Sequence, residues 1–462
     1  RSWGIREFPE KMNIHILGIC GTFMGGIAAL ARADGHAVSG QDENVYPPMS
    51  TQLAQLGITL VEGYSARAIP KDTDLVIIGN ALSRGNPAVE HVLNTGMSYI
   101  SGPRWLGENY LSGKRVLAVA GTHGKTTTAS MLAWILEHTG QKPGFLIGGI
   151  PGNFDISARA GKKTFVVEAD EYDTAFFDKR AKFVHYRPSI AILNNLEFDH
   201  ADIYPDLSAI ETQFNHLLRT IPGNGWVIAN RHDANLKRVL DRGCWSQSCL
   251  FGVDGESEAE WRVRLRDPAG RRLEIFHRDS SLGVLEWPLT GRHNALNATA
   301  AVAAASVSGV EPADAVTALA DFKGVKRRME YLGQVGGVHV YDDFAHHPTA
   351  IRLTLEGLRR SVRGARILVA LQPASNTMRA GHHLDQLAPA LAPADFVYLH
   401  STEPLDWDPS AVFARLQSGG RFRHQVDNLL ADIRAEARSG DYVVFMSNRG
   451  FGNAPHRFME GS

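Results

Sequence analysis

The chain has 462 residues, of which 44% are hydrophobic, so it is too long for one core and is expected to form about three domains. Its 48 basic residues nearly balance 49 acidic ones, which argues against a general nucleic-acid-binding or membrane-binding surface. Only three cysteines occur, with no signal peptide and no apolar run of membrane-spanning length, so a reducing cytoplasm is the expected location. Residues 1–11 show no clear pattern and are interpreted as a leader or an artificial extension.

The first predicted domain, residues 1–111, begins like an α/β nucleotide-binding unit. A short apolar strand ends in a glycine turn, a helix of small residues follows, and a second strand ends at Asp42. The dinucleotide fingerprint G-x-G-x-x-G would need glycine at Cys20 and Phe23, which counts against a nucleotide-sugar dehydrogenase that uses NAD. A uridine or other nucleoside diphosphate suits this looser loop better.

The second predicted domain, residues 112–322, opens with the clearest motif of the chain. An apolar strand at 116–120 runs into the loop GTHGKTT and then into a helix. Such a loop offers backbone N–H groups, a lysine and a hydroxyl beside a helix N-terminus, and it binds ATP phosphates together with magnesium. The loop is shorter than the strict G-x-x-x-x-G-K-[ST] pattern, because Val119 stands at the first glycine position. The predicted phosphate-binding residues are Gly121, Thr122, His123, Gly124, Lys125, Thr126 and Thr127.

Two further strands of the second domain are predicted to end in polar residues. The strand at 164–168 leads into an acidic run, and Glu168 is the predicted carboxylate ligand of the magnesium ion, beside the Thr126 hydroxyl. The strand at 189–194 leads to His200, which can reach the same metal or its bound phosphate through a neutral imidazole nitrogen. A solvated acidic loop and a structural histidine are the alternative interpretations.

The remaining segments predict a third α/β unit. Alternation between residues 260 and 287 favours antiparallel hairpins, and an alanine-rich helix is expected within 288–309. The third predicted domain, residues 323–462, follows a basic run and contains four buried strands that alternate with helices. The expected fold class is therefore α/β, with a Rossmann-like N-terminal domain, a central P-loop ATPase-like domain with a parallel sheet, and a Rossmann-like C-terminal domain.

Six motifs, in chain order, closely resemble the Mur ligases of bacterial cell-wall synthesis: GTHGKTTT, VVEADEYD, NNLEFDH, GRHNALNATAA, GVKRRME and YDDFAHHPT. The resemblance covers nearly the whole chain, and the set is far more specific than any one motif. Within the family, the chain is most similar to the branch that acts on UDP-N-acetylmuramate. The segments YDTAFFDKR, KFVHYRPSIAILNNLEFDHADIY and QPASNTMRAG resemble members that attach a diaminopimelate-containing tripeptide, and members that attach L-alanine are the alternative.

The resemblance implies a role for residues in each domain. It implies that Lys125 and Thr126 bind phosphate and magnesium, and that Glu168 and His200 hold a second metal near the acceptor carboxylate. Many members have a carbamylated lysine beyond the strand-end histidine, but this chain has no lysine between Lys182 and Lys237, which matches the muramate-accepting branch. The other implied nucleotide contacts are His293 beside the nucleotide, Asn294 on adenine, Arg328 on the phosphates and Asp343 on ribose.

The substrate contacts are predicted from the chemistry of the two substrates that the resemblance implies. The predicted catalytic residues are Lys125, Glu168, His200 and Arg328, and either His200 or His346 is a candidate base. Gly18, Gly21, Asp42, Asn80 and Ser83 are expected to face the UDP group, and Asn376 and Arg379 to bind peptide carboxylates. A P-loop switch protein, which would hydrolyse nucleotide without either organic substrate, is the alternative from another functional class.

Overall fold

A computed structural model describes residues 11–45, 49–256 and 258–461. Residues 1–10, which carry most of the segment interpreted as a leader, lie outside the described residues. The described part of the chain forms three large sheets and one two-stranded hairpin. No helix in these ranges combines the length and the apolar character that crossing a bilayer requires.

The first sheet has five parallel strands, with helices on its faces. Its strands are β1 Asn13–Leu17, β2 Ala37–Asp42, β3 Thr59–Glu62, β4 Leu75–Ile78 and β5 Tyr99–Ser101, and its helices are α1 Thr22–Ala33, α2 Met49–Gln55, α3 Pro87–Thr95 and α4 Gly102–Trp105. The strand order is β3-β2-β1-β4-β5. Every residue of β4 is buried, because helices cover both faces of a parallel sheet.

The second sheet is the largest, with ten strands. The strands of this region are β6 Arg115–Ala120, β7 Gly144–Leu146, β8 Ala158–Arg159, β9 Thr164–Ala169, β10 Asp173–Ala175, β11 Asp178–Ala181, β12 Ile190–Leu193, β13 Trp226–Asn230, β14 Gln247–Val253, β15 Trp261–Leu265, β16 Arg272–His277 and β17 Ser280–Glu286. Its helices are α5 Lys125–His138, α6 Leu207–Leu218, α7 Ala234–Asp241, α8 Arg292–Val307 and α9 Pro312–Ala318. The order is β17-β16-β15-β14-β13-β12-β6-β9-β7-β8, while β10 and β11 form the separate hairpin.

The third sheet has six strands. Its strands are β18 Glu330–Val335, β19 Val338–Asp343, β20 Ile367–Leu371, β21 Phe396–His400, β22 Gly420–Arg423 and β23 Tyr442–Met446. Its helices are α10 Pro348–Ser361, α11 Asn376–Arg379, α12 Leu384–Leu391, α13 Pro409–Phe413, α14 Val426–Glu436 and α15 Ala454–Glu460. The order is β18-β19-β23-β20-β21-β22, and only the pairing of β18 with β19 is antiparallel.

The architecture confirms the α/β class with three successive sheets, and it adds detail that the pattern did not predict. The third sheet carries β18 and β22 at its edges, beyond the four predicted strands. Both edge strands lack a continuous apolar run, so hydrophobic periodicity alone does not reveal them. Helix α4 begins at Gly102 and continues as a π-helical turn over Leu106–Tyr110. The predicted domain boundaries at 112 and 323 stay predictions.

Candidate active site

The site lies at the carboxyl edge of the second sheet. Strand β6 runs parallel to β9 on one side and β12 on the other, with Val119 paired to Glu168 and Ala120 paired to Leu193. The P-loop, the acidic run and the 194–200 loop therefore begin side by side at the carboxyl ends of these three strands. This edge is where open α/β sheets bind their ligands.

The P-loop conformation depends on glycine and on one asparagine. Gly121 and Gly124 have φ of 145° and 77°, and a Cβ on Gly124 would lie 2.7 Å from Asn297 Oδ1. Asn195 holds the loop, since its Oδ1 accepts a 2.7 Å hydrogen bond from His123 N and its carbonyl oxygen a 3.1 Å bond from Thr122 N. Helix α5 then begins at Lys125, so its unpaired N–H groups face the loop and suit an anion.

Lys125 belongs to a buried ionic group. Its Nζ donates to Gly121 O at 2.6 Å and to Glu171 Oε2 at 3.0 Å. Glu171 Oε1 lies 3.1 Å from His200 Nε2. Burial raises the pKa of Glu171, but Lys125 and His200 outweigh it and the net shift is downward. Burial lowers the pKa of His200 and of Lys125, yet Glu171 reverses both shifts and raises the pKa of each group above its usual value.

Thr126 brings together a carboxylate and a guanidinium. Its Oγ1 donates to Glu168 Oε1 at 3.0 Å and accepts from Arg328 Nη2 at 3.1 Å. The other Glu168 oxygen accepts a 2.7 Å hydrogen bond from Gly148 N, which fixes the carboxylate. A hydroxyl beside a carboxylate is a hard-oxygen donor pair of the kind that Mg²⁺ prefers, so these residues fit the ion that the family implies.

The predicted metal ligands fall into two adjacent groups. Glu168 contacts Thr126, whereas His200 lies with Asp170 and Glu171, three side chains whose ligand atoms are all within 4.8 Å of one another. Lys125, next to Thr126 in sequence, connects the groups through Glu171. That Glu168 and His200 share one metal stays a prediction.

A second cluster joins the third unit to the P-loop. His123, Glu197 and His347 have ligand atoms within 4.8 Å of one another, and the His123 and His347 rings are 4.5 Å apart. Thr349, in the first turn of α10, donates its hydroxyl to Glu197 Oε2 at 2.7 Å. Burial lowers the pKa of His347, and its Nδ1 accepts the Thr349 N–H as a helix cap, so this ring is neutral.

The predicted nucleotide residues meet around adjoining cavities between the second and third units. A small cavity of about 100 Å³ is lined by P-loop residues and by residues from α8 and the third unit. A cavity of about 710 Å³ shares part of this lining and reaches Trp287 and Tyr331. The predicted contacts that line the small cavity are His123, Gly124, Thr127, His293, Asn294, Arg328 and Asp343.

Backbone contacts fix Asp343 and the turn that carries Arg328. The two Asp343 carboxylate oxygens each accept a 2.7 Å hydrogen bond, from Met329 N and Ala345 N. Arg327 and Met329, which flank Arg328, have φ of 58° and 48°, a region that few residues other than glycine adopt. The turn therefore holds the Arg328 side chain toward the P-loop at the cost of local strain.

The predicted UDP contacts line a third cavity, of about 850 Å³. Gly18, Gly21, Asp42 and Ser83 belong to its lining, whereas Asn80 does not. No cation was predicted from the sequence to lie opposite these loops. The structure brings four there from the third unit: Lys326, Arg327, Arg328 and Arg449.

The predicted peptide contacts lie beyond the carboxyl end of β20, against the 200–202 loop. Asn376 Nδ2 donates to Asp202 Oδ2 at 3.2 Å, and Thr377 Oγ1 accepts from Ala201 N at 3.3 Å. Arg379 forms an ion pair with Glu403. Asn376 therefore stands beside the His200 loop, and both predicted contacts already pair with an acidic residue of the chain.

Several further residues at this edge were not predicted from the sequence. Glu171, Asn195 and Glu197 lie inside motifs that were recognised, so their positions were available but not their contacts. No sequence motif marks Glu403 or Arg449, because only the folding of the third sheet brings these residues together near the site.

Three domain descriptions of one family match successive parts of the chain. They are the Mur ligase family catalytic domain over residues 13–112, the Mur ligase middle domain over 119–305, and the Mur ligase glutamate ligase domain over 327–449. Together they cover all three sheets.

Relatives of similar length match nearly the whole chain. A protein of Escherichia coli K12 named UDP-N-acetylmuramate–L-alanyl-γ-D-glutamyl-meso-2,6-diaminoheptandioate ligase is 51% identical over 97% of this chain and 98% of its own. A murein peptide ligase from Psychrobacter arcticus, known from its crystal structure, is 43% identical in sequence. The match covers 97% of this chain and 98% of the other, with a TM-score of 0.77. A UDP-N-acetylmuramate–L-alanine ligase of Renibacterium salmoninarum is 34% identical over 95% of this chain and 93% of its own. The chain therefore belongs to the Mur ligase family.

Proposed function

We propose that this chain is an ATP-dependent ligase in peptidoglycan recycling. It joins the lactyl carboxylate of UDP-N-acetylmuramate to the amine of L-Ala-γ-D-Glu-meso-diaminopimelate and releases ADP and phosphate. The tripeptide is favoured over L-alanine, because the relative named for the tripeptide is 51% identical and the relative named for L-alanine 34%.

One observation carries the proposal: Arg328 lines both the nucleotide cavities and the cavity at the UDP-binding loops. The terminal phosphate of a nucleotide on the P-loop and an acid held by the first unit would therefore meet at this guanidinium. Such a meeting is what transfer of a phosphoryl group to a carboxylate requires.

The reaction needs ATP because a carboxylate is a poor electrophile. Phosphoryl transfer to the lactyl carboxylate gives an acyl phosphate, which the peptide amine can attack with phosphate as the leaving group. Lys125 and Arg328 bind and align the phosphates, and the N–H groups at the start of α5 add fixed partial positive charge. Magnesium, when bound, spreads the phosphate charge, and Thr126 and Glu168 would hold it, with His200 as a further predicted ligand.

Two contacts close the third unit over the P-loop. Arg328 reaches Thr126, and Thr349 reaches Glu197. This closure excludes water, which would otherwise hydrolyse the acyl phosphate before the amine arrives.

Either His346 or His200 is the proposed acceptor of the amine proton. The Nδ1–H of His346 donates to the Phe344 carbonyl at 3.1 Å, which leaves the lone pair on Nε2. Burial lowers the pKa of His346 to about 4, which leaves its ring neutral but only weakly basic, whereas Glu171 raises the pKa of His200 despite its burial.

We further propose three domains. Residues 1–111 bind the UDP group, residues 112–322 bind ATP, and residues 323–462 bind the peptide. A cytoplasmic location agrees with the free thiols of Cys20, Cys244 and Cys249. The first domain contributes Gly18, Gly21, Asp42 and Ser83 to the UDP group, and these four residues line the 850 Å³ cavity.

The direct test is turnover of UDP-N-acetylmuramate and ATP with either the tripeptide or L-alanine. We expect the muramyl tripeptide product, detected by mass, and little product with L-alanine. Turnover with L-alanine alone would favour the other ligase. ADP release without either organic substrate would favour a nucleotide-hydrolysing switch protein.

A further inference from the structure

Glu403 is an acidic residue between two arginines at the predicted peptide contacts. One of its carboxylate oxygens pairs with Arg379 Nη1, and the other lies 2.9 Å from Arg449 Nη1. Arg379 also donates to Asn376 Oδ1 at 3.2 Å, and Arg449 lines the 850 Å³ cavity at the UDP-binding loops. The Glu403 group therefore stands between the two regions that the substrates would occupy.

The segment around Glu403 is fixed to the turn that carries Arg379. Trp407 Nε1 donates to Met378 O at 2.8 Å, and Asp406 N donates to Arg379 O at 3.0 Å. The Ser401 hydroxyl donates to the carbonyl oxygen of Glu403 at 2.6 Å. These bonds hold the backbone of the segment in place and preorganise the carboxylate.

The side chain of Glu403 is accessible to a ligand. It is 45% exposed, and the side chains of Arg379 and Arg449 are 29% and 50% exposed. Ion pairs this exposed contribute little to stability, so exchanging one partner for a substrate group costs little. Among the described residues, the Nε–H of Arg379 is buried without a hydrogen-bond partner, so this guanidinium retains an unused donor.

A pocket for the distal end of a diamino acid must contain both a cation and an anion. The distal carboxylate is matched by a guanidinium, whereas the distal ammonium group needs an anion. The neighbouring acid Asp202 already accepts a hydrogen bond from Asn376, which leaves Glu403 as the anion for the ammonium group. Building on the proposed function, we propose that Glu403 binds the distal ammonium group of the tripeptide, while Arg379 and Arg449 bind the distal carboxylate.

The distance from the reaction centre agrees with this assignment. The contacts run from the His200 loop to Thr377, then along α11 to Arg379 and on to Glu403. An extended tripeptide spans about 10 Å, so its distal end lies several side chains away from the reacting amine. L-Alanine has no group that would reach Glu403.

The test uses three tripeptides that share L-Ala-γ-D-Glu and differ in the last residue. Diaminopimelate carries both distal charges, lysine only the ammonium group, and 2-aminopimelate only the carboxylate. For Glu403→Gln we expect kcat/KM to fall about 10- to 100-fold with the first two peptides and to stay unchanged with the 2-aminopimelate peptide. Glu403→Asp should recover part of the loss.

A matched control separates recognition from general disturbance. Glu436→Gln removes a carboxylate 2.9 Å from Arg366, at the opposite end of β20, and should leave all three rates unchanged. Equal losses with all three peptides in Glu403→Gln, or no loss with any, would overturn the role of Glu403 while leaving the proposed function intact. No turnover of tripeptide by the unaltered protein would overturn the proposed function and this inference together.

Discussion

Arg328 Nη2 lies 3.1 Å from the Thr126 hydroxyl, across 202 positions of sequence. The contact joins the start of the third unit to the P-loop. Because Thr126 also donates to Glu168, one hydroxyl connects a cation from the third unit to a carboxylate from the second. The orientation of the third unit thus determines whether the phosphate site is complete.

Replacing Arg328 by alanine should reduce kcat strongly, because this guanidinium meets charge that develops during phosphoryl transfer. We expect a loss of roughly 10²- to 10³-fold, with a smaller effect in Arg328→Lys. Steady-state ADP release with all three substrates measures it. Arg360→Ala, an exposed change in α10, is the control, and equal rates in both alanine variants would exclude this role for Arg328.

Replacing Glu168 by glutamine should raise the magnesium concentration that gives half-maximal activity. The change removes the charge beside Thr126 but keeps the size of the side chain, so we expect a shift of roughly 10-fold or more. The measurement is a magnesium titration at saturating substrates. Glu137→Gln removes a carboxylate 2.6 Å from Arg159 and should not shift the titration. An unchanged requirement in Glu168→Gln would rule out metal binding by this carboxylate.

Replacing Lys125 by methionine should impair both stability and activity. It leaves the buried carboxylate of Glu171, a side chain only 2% exposed, without its lysine partner, so the free energy of unfolding should fall by about 3 kcal/mol. Adding Glu171→Gln should restore most of that stability without restoring activity. Urea unfolding and turnover of the same samples separate the two effects. A double variant less stable than Lys125→Met would contradict the ion pair.

The buried His15 should make the protein less stable in acid. Gln41 donates to its Nε2 at 2.9 Å and Ser39 Oγ lies 2.7 Å from its Nδ1, so the ring is neutral, and burial lowers its pKa to about 4. Between pH 6.5 and 4 the unfolded chain binds a proton that the folded chain does not, so the free energy of unfolding falls as pH falls.

The His15→Gln variant isolates this contribution. Its loss of unfolding free energy between pH 7 and pH 4.5 should be smaller than that of the unaltered protein by roughly 2 kcal/mol. Urea unfolding at the two pH values provides the comparison. The same loss in both proteins would show that His15 titrates normally.

Much of the fold follows from sequence because local patterns determine it. Buried strands such as β4 and β12 are continuous apolar runs, and the glycines of the P-loop mark a turn that other residues cannot form. Edge strands such as β18 lack such a pattern, because their position depends on pairing with a neighbour.

The contacts within the site were less accessible to sequence reasoning. The acidic run offered Glu168, Asp170 and Glu171, but charge alone does not say that Glu168 faces Thr126 while Glu171 faces Lys125. That difference comes from the end of β9, where the chain leaves the sheet after Ala169. The meeting of Arg379 with Glu403 depends on how two loops of the third sheet fold together.

The central claim is that the carboxylate is activated by phosphorylation before the amine attacks. The most direct measurement uses UDP-N-acetylmuramate labelled with oxygen-18 in the lactyl carboxylate, together with ATP and the tripeptide. We predict that one labelled oxygen appears in the inorganic phosphate for each amide bond formed. Unlabelled phosphate alongside normal product would contradict an acyl phosphate and the account built on it.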